Sequence, residues 1–459
     1  MKSVIWWIRR DVRLEDNPAL QTALQTGLPV IPLFILDPNL LQDPPTQRQS
    51  FFFQALQNLD EALHQLGNRL LIRQGNPLQT LQELSQEIPI EAIFAEEDYS
   101  PYAITRDSKI QKALPLKLVL GLVIHHPQQV LKADGTPYTV FTPFSKIWKA
   151  LPKNFTTYPA PENLTSTRHH FTGIPLPETT VSAYFPASTS EAHHRLENFV
   201  QGRIFEYSQG RNLLAQPGTS TLSPYLRFGL LSIQTAYQAA LQALISTMRA
   251  EETKSVETWI NELIWREFYI SILYHFPNVL QEAFYQHRRN IPWRYEPDEL
   301  HAWQNGLTGY PVVDACMRQL NETGWMHNRG RMIVASFLTK DLLHNWQLGE
   351  GYFMQQLVDG DPAANNGGWQ WTAGVGTDAA PYFRIFNPIL QSKKFDPQGK
   401  FIRQWIPELS KVPQQYIHEP WTMPLDVQEQ SRCIIGKHYP TPIVDHTIVK
   451  ERVLQAFQP

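Results

Sequence analysis

The sequence predicts an α/β domain with a parallel sheet, followed by an all-helical domain. Short apolar runs alternate with amphipathic segments up to about residue 145, and helical periodicity dominates from about residue 193. The length of 459 residues also exceeds the usual size of one domain. We therefore place the α/β domain at residues 1–145, a linker at 146–192 and the helical domain at 193–459.

The α/β domain is predicted from apolar runs whose lengths are typical of buried strands. Parallel strands need long crossover connections, and the clearest helical one runs from Ser50 to Leu66. No glycine-rich dinucleotide fingerprint follows the first run, so the usual reason to place a dinucleotide there is missing. The predicted strands are Val4–Ile8, Val30–Leu36, Leu70–Arg73, Ala92–Ala95 and Leu118–Ile124.

The segment from about Leu151 to Glu191 is rich in Pro, Thr and Ser and has no sustained period. This composition is typical of a long surface connection. Beyond His193 the apolar residues recur at helical spacing, most clearly over Trp259–Phe276 and Tyr310–Leu343. We therefore expect the second domain to be nearly all helical.

Composition excludes several classes of protein. A formal net charge of -3 argues against a nucleic-acid binder that acts through overall positive charge, although it allows a local basic groove. Cys316 and Cys433 are far apart, so we expect neither a disulfide framework nor a thiolate metal site, and the usage fits a reducing cytoplasm. No apolar run reaches the length of a membrane span, so no membrane association is expected.

Two clusters combine aromatic, amide and charged residues at helical spacing. Trp259, Glu262, Trp265 and Arg266 fall within about a third of a helix circumference. Further on, Asn328, Arg331 and Met332 share a face, and two arginines near an amide would suit a phosphate or a flavin headgroup. Each pattern taken alone also fits an ordinary amphipathic helix with core aromatic residues and solvated charges.

Two further clusters predict ligand-binding loops. Residues 358–371 hold two Asp, two Asn and three Gly, which favours an irregular polar loop over a helix. An EF-hand is not expected there, because the required glutamate is missing. Residues 217–225 place hydroxyls where a helix begins, which suits either a diphosphate or a simple Ser/Thr cap.

The ordered set of these clusters resembles the class I photolyases of the photolyase/cryptochrome family over nearly the whole chain. Two more segments carry the resemblance, Trp7–Leu14 near the start and Pro137–Phe144 at the end of the α/β domain. The block from Trp259 to Trp405 follows the family almost without a gap. The resemblance implies light-driven repair of cyclobutane pyrimidine dimers in DNA, by electron transfer from excited, reduced FAD to a flipped-out dimer.

The resemblance also implies an FAD buried in the helical domain. It places Asn365 beside flavin N5 and pairs Arg331 with Asp359, and an uncharged neighbour at N5 tolerates the anionic reduced flavin. The implied FAD contacts are Tyr207, Thr219, Ser220, Thr221, Leu222, Ser223, Trp259, Glu262, Arg266, Asn328, Arg331, Asp359, Asp361 and Asn365.

Residues for the DNA lesion and for electron transfer are carried over in the same way. Trp265 and Trp371 would stack on the dimer, Glu262 and Asn328 would hydrogen-bond its base edges, and Met332 would line an apolar wall. The implied DNA contacts are Arg211, Arg266, Arg329, Arg384 and Gln391. The implied electron-transfer chain to the flavin is Trp369, Trp346 and Trp293.

A few positions bear on subtype and on the antenna pigment. Enzymes for the (6-4) lesion place a histidine where this chain has Asn328, and the chain ends without the long tail of signalling cryptochromes. Asp98 and Arg106 resemble the deazaflavin-binding type, and Ala103 replaces the glutamate of folate binders, although Ser100 departs from the deazaflavin pattern. We therefore favour 8-hydroxydeazaflavin over folate, leave a second flavin open, and expect a monomer.

Two other functions remain as alternatives at this point. One is a cryptochrome-like photoreceptor that uses the same flavin pocket for signalling, and a repair assay would separate it from a photolyase. The other is a flavin oxidoreductase acting on a small molecule, which the absent dinucleotide fingerprint and the predicted Trp265/Trp371 pair argue against.

Overall fold

The N-terminal part of the chain forms a five-stranded parallel sheet in the order β3-β2-β1-β4-β5. The structure is a computed structural model, and it describes residues 2–41, 46–153, 155–167, 169–179 and 183–457. In the centre of the sheet Val4 lies opposite Val30 on one side and Ala92 on the other. The strands are β1 (Ser3–Trp7), β2 (Val30–Leu36), β3 (Leu71–Gln74), β4 (Ile90–Glu96) and β5 (Leu116–Val119).

Crossover helices connect these strands, and further helices follow. The apolar faces of the sheet are covered because parallel strands carry side chains that must be buried on both sides. The helices up to residue 275 are α1 (Pro18–Leu24), α2 (Gln47–Gln65), α3 (Pro77–Glu87), α4 (Pro101–Ala113), α5 (Phe141–Ala150), α6 (Thr189–Val200), α7 (Tyr207–Gly210), α8 (Ser223–Arg227), α9 (Ile233–Ile245) and α10 (Ala250–His275).

The remainder of the chain is helical. Its core contains large buried side chains, among them Trp303, Phe337, Phe353 and Trp369. The helices are α11 (Pro297–Asn305), α12 (Pro311–Thr323), α13 (Asn328–Ser336), α14 (Trp346–Gln356), α15 (Pro362–Ala373), α16 (Pro388–Phe395), α17 (Lys400–Trp405), α18 (Leu425–Gln430) and α19 (Val449–Ala456), and a π-helical turn over Phe337–Asp341 continues α13.

The predicted fold class is confirmed, and the local predictions differ at the fifth strand. The fifth strand ends at Val119, three positions after its start at Leu116, instead of continuing to Ile124. A side chain at Gly121 would overlap Glu96, and the Ile124 N–H donates to Glu267 on α10 at 2.6 Å. The chain therefore leaves the sheet at this point.

The helical periodicity over Tyr310–Leu343 does not correspond to one continuous helix. Gly324 adopts a left-handed backbone conformation with a φ of 67°, which ends α12. His327 then caps α13 by accepting a hydrogen bond from the Arg329 N–H. Helical spacing continued across this break in the sequence, so periodicity alone did not reveal it.

The chain divides into two compact units. The first unit comprises residues 1–205 and 220–277, and the second comprises residues 206–219 and 278–459. This division differs from the predicted domains, because the segment 220–277 was expected to belong to the helical domain. The boundaries at 145 and 192 stay predictions, and residues 154, 168 and 180–182 of the predicted linker lie outside the described residues.

Candidate functional site

Helix α10 of the first unit carries the first predicted cluster. The Trp259 ring is buried, packs against Phe199 at 5.2 Å between centroids, and points its Nε1 at Ser220 Oγ at 3.4 Å. Trp265 and Arg266 are partly exposed on the same helix, as is Glu262. The structure therefore places these side chains on one helix, as the spacing predicted.

A single buried carboxylate of α10 binds the preceding part of the first unit. Glu267 accepts hydrogen bonds from Ile124 N at 2.6 Å and from Trp148 Nε1 at 2.6 Å. Burial raises the pKa of Glu267, and these hydrogen bonds oppose the increase. Arg266 donates from Nη1 to the Leu122 carbonyl at 2.9 Å, so both residues hold α10 against the same loop.

Trp265 forms a face-to-face stack within the first unit. The ring of Phe141, the first residue of α5, lies parallel to it with an interplanar angle of 4° and a centroid distance of 3.7 Å. One face of the indole is therefore covered. The predicted stacking of Trp265 on a nucleobase can use only the opposite face.

The Ser/Thr-rich segment before α8 has a strained backbone. Thr221 adopts a φ of 51°, which is uncommon for a β-branched residue. Its Oγ1 accepts a hydrogen bond from Arg195 Nη1 at 2.9 Å. The N-cap residue of α8 is Leu222 and no side chain caps this helix, so the simple Ser/Thr cap is wrong.

The carboxyl edge of the sheet contains the predicted antenna residues. β1 and β4 are neighbours at the point where the strand order reverses, which is the usual place for a ligand crevice in such sheets. Asp98, which follows β4, pairs with Arg10, which follows β1, at 3.3 Å. Burial raises the pKa of Asp98, but Arg10 and the Ser100 N–H outweigh it and the net pKa is lowered.

Arg106 lies in an aromatic setting at the same edge. Its guanidinium is 4.8 Å from the Trp7 ring centroid and 5.7 Å from that of Tyr102. Asp107 accepts a hydrogen bond from its Nε at 2.9 Å. The two predicted antenna residues thus lie at one edge of the sheet, beside further cations and rings.

In the second unit, a cavity of about 510 Å³ brings together residues from widely separated parts of the sequence. Predicted lesion and DNA residues supply five of its lining side chains: Arg329, Met332, Trp371, Arg384 and Gln391. The volume lies in the range of small-molecule sites. Its lining combines cations, an indole and apolar side chains.

Several cavity residues were missed by sequence reasoning. Lys394 adds a third cation, and Phe386, Asn387 and Leu390 add an aromatic ring, an amide and an exposed apolar side chain. Lys394 follows Gln391 by three positions on α16, so both lie on one face of that helix. That helical spacing from Gln391 was the sequence signal from which Lys394 could have been predicted.

Arg329 is held in place at the cavity. Its Nη2 donates to Asn212 Oδ1 at 2.7 Å, and its guanidinium lies 4.4 Å from the Phe395 ring centroid. Burial and the nearby Arg211 lower the pKa of Arg329. Arg211 itself lies over the buried ring of Tyr207 at 5.3 Å.

The prediction of an irregular loop over residues 358–371 is wrong, because α15 occupies most of it. Asp361 caps this helix by accepting from the Ala363 and Ala364 N–H groups at 3.0 and 3.2 Å, and Pro362 stands at its first position. Gly374 ends it with a φ of 78°. The capping residues outweighed the low helix propensity of the Asn and Gly residues.

The predicted pair of Arg331 and Asp359 is confirmed, with Nη2 and Oδ2 at 2.7 Å. The other oxygen of Asp359, Oδ1, is buried and has no hydrogen-bond partner among the residues that the structure describes. Gln391 Oε1 and His327 Nε2 are likewise buried and have no hydrogen-bond partner within the described chain. Such buried, unpartnered polar atoms are costly and suit a bound polar ligand.

His327 is a neutral, structural histidine. Burial, aided by Arg329 and Arg331, lowers the pKa of its imidazole to about 4. Its Nδ1 accepts from the Arg329 N–H at 3.1 Å, which leaves the proton on Nε2. Asn328, the next residue, is exposed at the start of α13.

Asn365 is oriented by its neighbour on α14. Its Nδ2 donates to the Glu350 carbonyl at 3.1 Å, so Oδ1 remains as an acceptor. The Glu350 carboxyl accepts from Asn366 Nδ2 at 3.0 Å, and burial raises the pKa of Glu350 to about 7. Glu350 was not predicted, and no sequence pattern singled it out.

The predicted electron-transfer tryptophans all lie in the second unit. Trp369 and Trp346 are each 3% exposed, and Trp293 is partly buried against the same core. Trp369 contacts the rings of Phe353 and Trp303 at centroid distances of 5.0 and 6.1 Å. Their burial is compatible with either core packing or electron transfer, so the role stays a prediction.

No His, Cys, Asp or Glu cluster able to hold a metal ion occurs in the described part of the chain. Both cysteines are buried and unpaired with each other. Across the same residues, none of the helices is long and apolar enough to cross a membrane.

Comparison with known proteins gives consistent matches along the chain. A family model described as DNA photolyase matches residues 4–162, and one described as the FAD binding domain of DNA photolyase matches residues 259–459. The chain is 40% identical to a deoxyribodipyrimidine photo-lyase of Synechococcus, covering 97% of this chain and 94% of that one. It is 39% identical to the Escherichia coli protein of that name, covering 100% and 99%.

Solved structures match equally broadly. A class III photolyase from Agrobacterium tumefaciens gives a TM-score of 0.93 at 35% identity, covering 100% of this chain and 97% of that one. A Synechocystis cryptochrome gives 0.89 at 30% identity, covering 99% of each chain. An archaeal photolyase from Sulfolobus tokodaii with two FAD molecules gives 0.83 at 31% identity, again covering 99% of each chain.

Proposed function

The chain belongs to the DNA photolyase family, and on that premise we propose that it is a deoxyribodipyrimidine photolyase. It uses light to split cyclobutane pyrimidine dimers in DNA and works with a bound FAD. The observation that carries this proposal is the cavity in the second unit, which three cations line together with Trp371 and Met332. The same cavity would admit a nucleobase pair turned out of the duplex.

The lining residues divide by chemistry. Arg329, Arg384 and Lys394 would neutralise phosphates beside the lesion, which lets a chain with negative net charge bind DNA locally. Trp371 offers an aromatic face to the extruded bases, and base–aromatic stacking contributes about 1–3 kcal/mol per base. Gln391 Oε1 is the buried acceptor that a base or sugar donor would satisfy.

The second unit also has residues that fit FAD. Asp359 Oδ1 is a buried acceptor without a partner among the described residues, and the flavin ring carries N–H donors. Asp359, Arg331, Asp361 and Asn365 would hold the cofactor, with Asn365 Oδ1 free to accept a hydrogen bond. When bound and fully reduced, the flavin supplies after excitation by light the electron that opens the cyclobutane ring.

The residues that act on the bound groups have distinct tasks. Arg331 orients the Asp359 carboxylate through its hydrogen bond to Oδ2. Glu350 fixes the Asn365 amide through its carbonyl oxygen. The apolar walls exclude water from the reacting bases, which protects charge transfer from competing protonation.

Roles in the first unit remain proposals based on the resemblance. Trp265 and Glu262 are proposed for the lesion, and Ser220–Ser223, Trp259 and Arg266 for FAD. Asp98 and Arg106 are proposed for an antenna pigment, with 8-hydroxydeazaflavin favoured over folate. A second flavin is the alternative, because the matched archaeal photolyase contains two FAD molecules.

The class of photolyase, the cellular location and the oligomeric state are also proposed from the sequence. We assign the chain to class I on its ordered motifs, although a class III photolyase is among its structural matches. A cytoplasmic location and a monomeric state are proposed from the sequence. Sedimentation of the purified protein with and without DNA would test the monomer.

The direct test is a repair assay on the purified holoprotein. With the flavin fully reduced, we expect near-ultraviolet or blue light to remove dimers from an oligonucleotide, and no loss in darkness. Dimers that persist in light with reduced flavin would contradict the proposal. Glu262→Ala should slow repair with FAD still bound, whereas loss of FAD would assign Glu262 to cofactor retention.

A signalling photoreceptor is the second candidate, since a cryptochrome matches at a TM-score of 0.89. That function predicts flavin photochemistry without dimer repair. The same assay separates the two, because a photoreceptor would show light-dependent flavin spectra while dimer content stays constant.

A further inference from the structure

Phe457, which follows α19, is the centre of an aromatic cluster in the second unit. It is 2% exposed, and its ring lies parallel to Tyr382 with an interplanar angle of 3° and a centroid distance of 5.5 Å. Trp293 meets it edge-on at 5.9 Å. Offset parallel and edge-to-face pairs are both favourable arrangements, so Phe457 joins the other two rings.

Two basic side chains hold Phe457 in this position. The Arg288 guanidinium lies 5.3 Å from the Phe457 ring and 4.7 Å from the Tyr382 ring, and its Nη1 donates to the Phe457 carbonyl at 2.7 Å. Lys340 Nζ is 4.0 Å from the Phe457 ring centroid. Phe457 is therefore bound through both its ring and its backbone, and Arg288 binds Tyr382 at the same time.

Helix α19 has its own attachment to the second unit. His446 Nδ1 and Asp341 Oδ1 are 2.5 Å apart just before the helix, and Arg452 donates to the Asp341 carbonyl. Val449 and Val453 are fully buried. These contacts do not involve Phe457, so a change at Phe457 leaves the attachment of the helix in place.

Tyr382 belongs to the segment that forms one wall of the cavity. The segment runs from Gly374 to Asn387, between α15 and α16, and its residues 384–387 all line the cavity. Arg384 lies two positions after Tyr382 and is exposed. The Arg384 N–H donates to the Pro381 carbonyl at 2.8 Å, so the two residues share one turn.

We propose that Phe457 and Arg288 are positioning residues for DNA binding, because they clamp Tyr382 and so hold Arg384 at the cavity. The conformational entropy of the segment between α15 and α16 is then lost on folding and not on DNA binding. This increases the affinity for DNA without any contact between Phe457 and DNA. This inference rests on the proposed photolyase function for its DNA-binding part only.

The test compares full-length holoprotein variants. Phe457→Ala and Tyr382→Ala should each weaken binding of a dimer-containing oligonucleotide by about tenfold, the size expected for loss of one positioned contact. The double variant should bind no more weakly than the weaker single variant, because both changes release the same clamp. The matched control is Gln455→Ala, an exposed residue on α19.

Hydrogen exchange provides a readout that does not depend on DNA. Amides of residues 376–387 should exchange faster in Phe457→Ala than in the wild type or Gln455→Ala, while FAD content stays unchanged. If Phe457→Ala fails to fold, Tyr382→Ala carries the same test from a partly exposed position.

Three results would overturn the inference: unchanged exchange in a folded variant, unchanged DNA affinity despite faster exchange, or additive effects in the double variant. A wild-type protein that does not prefer dimer-containing DNA would instead contradict the proposed function. In that case the exchange measurement still decides whether the clamp exists.

Discussion

Arg331 and Asp359 are 28 residues apart in the sequence and are joined by a hydrogen bond of 2.7 Å. The Asp359 side chain is 3% exposed and that of Arg331 is 27% exposed. The pair therefore lies at the boundary of the core, where one member keeps contact with solvent. The second carboxylate oxygen of Asp359 is left for another donor.

Replacing Asp359 by Asn keeps the shape and removes the charge. We expect lower FAD occupancy and a loss of about 2 kcal/mol in unfolding free energy, less than for a fully buried pair because Arg331 is partly solvated. Absorbance ratios of the purified protein and denaturant titration measure the two effects. Glu451→Gln, an exposed change on α19, is the control, and full FAD occupancy in Asp359→Asn would contradict the assignment.

Phe141 stacks on one face of the Trp265 indole in the first unit. Phe141→Ala should free the Trp265 indole and remove an aromatic pair worth about 0.5–1.5 kcal/mol. We expect weaker binding of dimer-containing DNA, with little change in repair rate at saturating DNA. The neighbouring Val140→Ala is the control, since Val140 is exposed. A stability loss with unchanged DNA affinity would argue that Trp265 does not contact the lesion.

Gly349 and Gly351 on α14 form a matched pair of sites. A methyl group at Gly349 would overlap the Trp369 ring, whereas one at Gly351 meets nothing within 4 Å. Gly349→Ala should cost about 1–3 kcal/mol through overpacking and should slow light-driven reduction of the flavin. Gly351→Ala should stabilise the helix by about 0.5–1 kcal/mol. Equal effects at the two sites would refute the close packing on Trp369.

Glu350 should make stability depend on pH. Its pKa is raised by burial to about 7 from a usual 4.5, so the folded chain holds a proton that the unfolded chain has lost. The stability advantage of the protonated form is complete below pH 4.5 and lost as the pH rises to about 7.

Glu350→Gln should remove this dependence. Above pH 7 the variant should be more stable than the wild type by about 3 kcal/mol at most, and near pH 4.5 the two should agree. Thermal melting of both proteins across this pH range measures the difference in their stability. Groups that titrate equally in the two proteins cancel in this difference. Parallel curves for the two proteins would show that Glu350 does not titrate between these values.

Arg384 should contribute one phosphate contact. Arg384→Gln is expected to lower the slope of log affinity against log salt by about one, with nearly equal loss for damaged and undamaged DNA. Lys437→Gln removes the same charge from an exposed site that does not line the cavity. An equal change in slope for both variants would indicate general charge effects instead of a contact at the cavity.

The local pattern of apolar residues was sufficient to predict the main elements of the fold. The run Val30–Leu36 was predicted with the bounds that β2 has, because an unbroken apolar stretch of seven residues is stable as a central parallel strand. The cluster on α10 was found from helical spacing for a similar reason. Propensity failed over α15, where Asp361 and Pro362 start a helix that the Asn and Gly content argued against.

Residue order and type therefore determined the fold class and the identities of the polar clusters, since these depend on neighbours within a few turns, and the order of the clusters along the whole chain indicated the family. Packing decided which of those residues meet. Arg329 on α13 and Gln391 on α16 line one cavity, and Phe457 contacts Tyr382, because segments far apart in the chain bury their apolar side chains together. The burial of apolar area that drives such contacts is non-directional, and it has no sequence spacing from which it could be read.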